Sequence, residues 1–111
     1  MTVVPFVAYP ERRLGLSADP RPVDDGLRAI GQRLLDAATA AQAYGLAAVH
    51  IGEIAPVIVV SVVPQDRRDY RLFYNPRVME VSSDTEIGVE GSVSLPGVQI
   101  EISRPIWAEL A

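Results

Sequence analysis

The residues of this chain that could do chemistry lie mainly in two short stretches. Residues 44–52 read Y-G-L-A-A-V-H-I-G and contain His50, the only histidine. Residues 90–97 read E-G-S-V-S-L-P-G and contain a glutamate and two serines. Imidazole, carboxylate and hydroxyl groups can act as acids, bases, nucleophiles or metal ligands. These residue types raise three possibilities, which are a metal site, a serine nucleophile with a histidine base, and a general acid or base.

The two serines do not fit a serine hydrolase. The strained turn that exposes a nucleophilic serine needs the spacing G-x-S-x-G, and the spacing around Gly91 and Ser92 differs. A triad would also need His50 as its base with an acid behind it, and nothing in the sequence places such an acid. Serines in a bend rich in Gly and Pro usually satisfy backbone groups. We therefore interpret Ser92 and Ser94 as turn residues.

The composition indicates one globular domain over residues 1–111. With 111 residues, 49% of them hydrophobic, the chain is long enough to bury a core of its own. Its net charge of −4 argues against a nucleic-acid partner, because phosphate binding needs clustered basic residues and the arginines here are scattered, with no lysine. The absence of cysteine excludes disulfides and thiolate metal sites.

Secretion and membrane insertion are not expected. Residues 1–10 lack a basic segment, and Pro5 interrupts their apolar run, so we expect no signal peptide. No stretch approaches the ~20 apolar residues that span a bilayer. We therefore expect a cytoplasmic protein with no membrane partner.

One amphipathic helix is expected over residues 24–44, after an extended, proline-punctuated arm over residues 3–20. Asp24 or Asp25 can cap its start, and Gly45 can provide a left-handed stop. Apolar residues recur through this segment at helical spacing: Leu27, Ile30, Leu34, Ala38 and Ala41.

The rest of the chain has the pattern of short β-strands. Residues 57–63 form an almost uninterrupted β-branched run. A polar turn is expected over residues 82–86, and a bend or bulge at Arg104 and Pro105. Further strands are expected over residues 72–74, 77–81, 98–102 and 106–110. The predicted fold class is therefore α+β, with one helix packed on an antiparallel or mixed sheet.

Both stretches resemble signature motifs of the peptide deformylase family, whose members remove the N-formyl group from N-terminal formylmethionine. The first family motif reads Gly, apolar, Gly, apolar, Ala, Ala, any residue, Gln, and residues 43–50 read A-Y-G-L-A-A-V-H. The second reads Glu-Gly-Cys-Leu-Ser, and residues 90–94 read E-G-S-V-S. The arm and the Tyr-Asn-Pro step at residues 74–76 extend the resemblance from Pro5 to Trp107.

The resemblance implies a metal site whose ligands are missing here. The family holds a divalent Fe, Ni, Co or Zn ion with a Cys and two His of a helical His-Glu-x-x-x-His motif. In this chain Ser92 stands at the Cys position, His50 stands at the Gln position, and the helical motif is absent. A neutral serine is a poor ligand, and a hydrolytic site needs three protein ligands. We therefore expect no metal, no cofactor and no intact catalytic residue, with Glu90 accepting from backbone or arginine donors.

The groove implied by the resemblance uses mainly backbone groups, which survive side-chain changes. Substrate-binding positions carry over to Gly45, Leu46, His50, Val93 and Leu95, where an N-terminal peptide would pair as an added strand. His50 has two interpretations. It either closes the bend before the strand at residues 57–63 or, as a polar remnant of the family's Gln, donates one hydrogen bond to the peptide.

The resemblance also implies the N-terminal part of the deformylase fold. Because the sequence stops inside its last strand pattern, we expect a domain that is incomplete at its C-terminus, from a fragment or a truncated paralogue. Exposed strands would then favour a homo-oligomer with Trp107 near the contact.

Three functions follow as hypotheses. The chain is an inactive deformylase-like protein, or it becomes active when a missing C-terminal helix completes it, or it is a non-catalytic module that binds N-terminal peptides.

Overall fold

The computed structural model describes residues 5–62, 67–105 and 107–111. Within these ranges the chain forms one α-helix and seven strands in three antiparallel sheets, which confirms the α+β class. Short 3-10 turns lie at Arg12–Gly15 and Ala48–Ile51. The longer elements, in chain order, are α1 (Asp25–Ala41), β1 (Gly45–Ala47), β2 (Val57–Ser61), β3 (Tyr70–Tyr74), β4 (Val78–Val81), β5 (Thr85–Ser92), β6 (Leu95–Pro105) and β7 (Ala108–Leu110).

Helix α1 begins as predicted and ends earlier than predicted. The Asp24 carboxylate accepts the Leu27 N–H at 2.8 Å, and this bond lowers the pKa of Asp24. The helix ends at Gln42, which adopts the left-handed conformation with φ 51° and donates its N–H to the Ala38 carbonyl. The predicted stop at Gly45 is wrong, because Gly45 is already extended in β1, opposite Val60.

The core lies between α1 and the sheet of order β1-β2-β3. Its largest fully buried side chains are Leu27, Leu34, Val57 and Val59. Gly31 lets the helix approach β3 closely, since a Cβ there would lie 2.5 Å from the Tyr74 hydroxyl oxygen.

The Tyr70 side chain of β3 hydrogen-bonds to backbone carbonyls at the end of α1. Its hydroxyl lies 3.0 Å from the Ala38 carbonyl oxygen and 2.8 Å from that of Ala43. The Ala38 carbonyl also accepts the Gln42 and Ala43 N–H groups, so the Tyr70 hydroxyl adds a link from β3 to the bonds that join α1 and β1.

The other two sheets are the β5–β6 hairpin and the β4–β7 pair. Thr85 and Glu86 pair with Pro105 and Arg104, so the predicted turn over residues 82–86 is too long. The predicted bulge at Arg104 and Pro105 is also wrong. Pairing between β5 and β6 is regular from Pro105 back to Gln99. The register shifts instead between Gly91 and Ser92, where β5 approaches the hairpin turn.

The remaining expectations fall partly outside the described residues. Strand β2 ends at Ser61, and Val63 lies outside the described ranges, as do residues 3 and 4 and Ile106. The arm is not wholly extended, since it contains the turn at Arg12–Gly15. Among the described residues, no helix is long and apolar enough to cross a membrane.

Candidate functional site

The two stretches that could do chemistry face each other across a cavity of about 470 Å³. One wall consists of residues 42–46 and His50, from the end of α1, β1 and the 3-10 turn that follows. The opposite wall is the tip of the β5–β6 hairpin, which contributes Gly91, Ser92, Val93 and Gln99. Four of the predicted groove residues therefore line one cavity: Gly45, Leu46, His50 and Val93.

The groove offers backbone more than side chains. Strand β1 is at the end of its sheet, and its only strand neighbour among the described residues is β2. The Leu46 side chain is buried in the core, and Leu46 pairs with Val59 of β2. Leu95, the fifth predicted residue, begins β6 opposite Ser92 at the hairpin turn. An extended ligand could hydrogen-bond to the outer edge of β1.

His50 is held by the backbone of its own turn. Its Nδ1 lies 3.0 Å from the Ala47 nitrogen and 3.2 Å from the Ala47 oxygen. Burial lowers the pKa of His50, so the ring is neutral at pH 7. When Nδ1 accepts the Ala47 N–H, the ring proton is on Nε2. The structure thus supports the interpretation of His50 as a bend residue, and it leaves Nε2 as a donor.

Both serines make structural hydrogen bonds, but only Ser94 lies in the hairpin turn, because Ser92 is the last residue of β5. The Ser92 hydroxyl oxygen accepts the Ser94 N–H at 3.2 Å. Ser94 is buried and donates its hydroxyl to the Val7 carbonyl at 2.6 Å. Within the described residues, neither serine hydrogen-bonds to His50, so the arrangement provides no nucleophile activated by a base.

Glu90 pairs with an arginine, as predicted. Arg104 Nε lies 3.2 and 3.1 Å from the two carboxylate oxygens, and Arg104 Nη2 lies 3.1 Å from Oε1. The hydrogen bonds to Glu90 raise the pKa of Arg104. Glu90 is therefore a structural partner of Arg104 across the hairpin.

The residues around the cavity do not fit a hydrolytic metal site. The cavity contains one imidazole and the Ser92 hydroxyl, and the sequence has no cysteine. In the part of the chain that the structure describes, no three His, Asp or Glu side chains are grouped closely enough to hold a metal ion. A site with three protein ligands and one open position therefore cannot be built from these residues.

Sequence reasoning missed two contributors to the cavity. Gln99 lines it because Gln99 pairs with Gly91 across the hairpin, and this pair depends on the register shift between Gly91 and Ser92, which no turn residue in the sequence indicates. Val7 does not line the cavity, but its backbone hydrogen-bonds to His50 in one wall and to Ser94 beside the other. No local pattern indicates these bonds, because they join residues 43 and 87 positions apart.

Comparison with known proteins agrees with this geometry. The family model for polypeptide deformylase matches residues 3–111. The chain belongs to this family. A peptide deformylase-like protein of Bradyrhizobium diazoefficiens is 40% identical over 105 residues, which cover 94% of this chain and 61% of that protein. Peptide deformylase 1 of Burkholderia multivorans is 33% identical over 106 residues, which cover 95% of this chain and 58% of that protein.

Solved deformylase structures have the same fold. The enzyme from Ehrlichia chaffeensis superposes with a TM-score of 0.86 at 26% identity, over 98% of this chain and 67% of that one. A class I type b deformylase from Acinetobacter baumannii gives a TM-score of 0.89 at 23% identity, over 99% and 75%. The chain spans about three fifths of the length of the curated relatives it matches.

Proposed function

We propose that this deformylase-like chain binds short N-terminal peptides in the cavity between β1 and the hairpin tip, and that alone it does not hydrolyse an N-formyl group. The observation that carries the proposal is the outer edge of β1 facing the hairpin tip across about 470 Å³. Neighbouring strands lie ~4.8 Å apart, so a single extended peptide can pair with this edge.

Affinity is expected to be low. The peptide gains backbone hydrogen bonds and some contact with apolar wall residues, but it has no metal to anchor its formyl group. These gains must offset lost translational freedom and the ordering of the peptide, which leaves dissociation constants on the order of millimolar. The His50 Nε2–H adds one donor for a peptide carbonyl, so His50→Phe should weaken binding further.

Titration of the labelled chain with Met-Ala-Ser peptides, followed by amide NMR shifts, tests the binding. The expected shifts lie at Gly45, Leu46, His50, Val93 and Leu95. A peptide N-methylated at the residue that faces β1 is the matched control, because it keeps the side chains and removes the pairing N–H. Equal shifts with both peptides, or shifts elsewhere only, would reject backbone pairing in this cavity.

The proposed lack of activity rests on Ser92 and His50. A serine hydroxyl is neutral near pH 7 and supplies neither the charge nor the softness of a thiolate. We expect no formate release from formyl-Met peptides with Fe, Ni, Co or Zn present, either from the chain or from its Ser92→Cys variant. Turnover clearly above buffer in either protein would overturn this part of the proposal.

A second candidate is hydrolysis by a longer protein that contains this chain. It is favoured by the coverage of only 61% of the Bradyrhizobium diazoefficiens relative. An in-frame His-Glu-x-x-x-His downstream of Ala111, together with formate release by the extended chain, would support it. A stop codon at that point would leave the peptide-binding function.

We further propose a cytoplasmic location and self-association through the strands of residues 78–111. Exposed apolar side chains there include Val78, Met79, Ile87, Val89, Ile100 and Trp107. The same residues include six acidic side chains and one arginine, so self-association should strengthen with salt as repulsion is screened. Sedimentation velocity at low and high salt tests this. A monomer under both conditions would refute the self-association.

A further inference from the structure

We infer that Val7 and Ser94 position the two walls of the cavity relative to each other. Val7 uses both of its backbone groups for this. Its N–H donates to the His50 carbonyl at 2.8 Å, and its carbonyl accepts the Ser94 hydroxyl at 2.6 Å. The Tyr9 N–H donates to the Ser94 carbonyl at 2.9 Å. We call residues 7–9 the N-terminal tie.

The tie joins segments that have no direct hydrogen bond to each other. His50 belongs to the wall that contains β1, and Ser94 follows Val93 in the turn that forms the other wall. Across the described residues, no hydrogen bond runs directly between residues 42–52 and residues 91–99. The hydrogen bonds that connect the two walls therefore run through the N-terminal tie, in addition to the packing of Val93 against the buried core.

The tie is itself anchored to the helical side of the molecule. Phe6 packs against the buried core. Arg13 donates to the Gly52 carbonyl at 3.0 Å, immediately after the turn that contains His50. Gly52 has φ 84°, and a Cβ there would lie 2.7 Å from Arg13 Nη1, so glycine permits this contact. Displacement of the hairpin tip would thus act against a fixed arm.

Ser94 is the side chain on which the tie depends. It is 6% exposed, and its hydroxyl provides the only side-chain donor to Val7 among the described residues. Removal of a buried donor leaves its acceptor unsatisfied, which costs more than the bond itself contributes in water. Ser94 is not among the residues that line the cavity. It is a positioning residue that acts through Val7, and this role rests on the proposed peptide binding.

The test compares Ser94→Ala with Ser82→Ala in the full chain. Ser82 is a matched control, because it is also buried, at 9% exposure, and its hydroxyl donates to the Asp84 carbonyl at 2.6 Å in a turn away from the cavity. Both variants lose one buried hydroxyl that donates to a backbone carbonyl, and Ser82→Ala also removes the acceptor of the Trp107 N–H at 3.3 Å. A general loss of stability should therefore be at least as large in Ser82→Ala as in Ser94→Ala.

Two readouts separate positioning from stability. In Ser94→Ala, the amides of Val7 and Tyr9 should exchange about five- to tenfold faster than in Ser82→Ala, the factor that corresponds to one ordinary hydrogen bond. Peptide affinity should fall by a similar factor in Ser94→Ala alone. Conservative Ser94→Thr, which keeps the hydroxyl, should restore both quantities at least in part.

Equal exchange rates at Val7 and Tyr9 in the two alanine variants would overturn the tie. Equal peptide affinities in variants whose exchange rates differ would overturn its role in positioning the groove. If the wild-type chain binds no peptide, the proposed function fails, while amide exchange still decides whether Val7 and Ser94 hold the walls together.

Discussion

Two regions of this chain have similar strand patterns and very different burial. The helical half, α1 with β1–β3, encloses Leu34 and Val59, which are fully buried. The hairpin half, β4–β7, leaves Ile87 at 74% exposure and Val89 at 61%. Each half has enough apolar residues for a core, but only the helical half has a described element packed over its sheet. The difference shows that an apolar strand pattern predicts a sheet face that must pack against another element, but does not predict which element that is.

The comparison also separates two ways of holding a strand in place. In the helical half, side-chain packing fixes the strands, so stability should be sensitive to volume. In the hairpin half, backbone pairing along β5 and β6 and the anchored turn do so, because most side chains face solvent. Substitutions of one type should therefore give different results in the two halves.

The largest difference is expected for deletion of an apolar side chain. Leu34→Ala should lower the free energy of unfolding by about 2–5 kcal/mol, because it removes transfer energy and leaves a cavity in the core. Ile87→Ala should change it by less than about 0.5 kcal/mol, since that side chain is already in water. Urea unfolding of both variants measures this. A loss above about 2 kcal/mol for Ile87→Ala would mean that the hairpin is covered in solution.

A smaller difference is expected for added volume at glycine. Gly31→Ala should destabilise by about 1–3 kcal/mol, because the new Cβ would meet the Tyr74 hydroxyl at 2.5 Å and must displace it. Gly88→Ala is the control, since a Cβ at Gly88 meets nothing within 4 Å. It should be neutral or stabilising by up to about 1 kcal/mol. Thermal unfolding curves that rank the two variants in reverse order would contradict the close helix–strand contact.

A pH effect near neutrality is expected from His50, which follows β1 in the helical half. The pKa of His50 is lowered by burial below its ordinary value of 6.5, so the unfolded chain takes up a proton first as pH falls. Stability contributed by the neutral ring is present above pH 6.5 and is lost as pH falls through the folded pKa. In His50→Asn, the urea midpoint of unfolding should therefore vary less with pH in this range than it does in the wild-type chain. The pKa of Glu11 is also lowered, and it affects the pH dependence of stability only below its ordinary value of 4.5.

The smallest effect is expected for the ion pair across the hairpin. Glu90→Gln should leave the urea midpoint unchanged within error, because both side chains are solvent-exposed and their attraction is screened. A clear drop in the midpoint would indicate that the pair is buried by a partner, and it would bring the hairpin closer in behaviour to the helical half.

Local features were predictable from sequence where one residue type determines the backbone. Asp24 was identified as a possible cap, and it accepts the predicted kind of bond. The end of α1 was misplaced because Gln42, a residue with little preference for the left-handed region, adopts it there. The Gln42 N–H donates to the Ala38 and Thr39 carbonyls, and the Gln42 carbonyl accepts a bond from Arg68 Nε at 3.0 Å, a contact that local sequence does not indicate.

The sequence predicted which residues line the candidate site better than it predicted which contacts hold them in position. The motif resemblance placed Gly45, Leu46, His50 and Val93 in one groove, and the structure brings them to one cavity. The part of Ser94 was missed, since a hydroxyl in a turn normally bonds locally and this one reaches Val7. Contacts between distant segments leave no periodic signal in the sequence.

The bond from Ser94 to Val7 also sets an order of events during synthesis. Its partners are 87 residues apart, and at about 5–20 residues per second Ser94 is added roughly 4–17 s after Val7. By that time α1 and β1–β3 have already been made, and the Val7 N–H can find the His50 carbonyl. The Val7 carbonyl can accept the Ser94 hydroxyl only after the hairpin has been synthesised. A nascent chain that stops before residue 94 therefore lacks the hairpin tip that forms the second wall of the cavity.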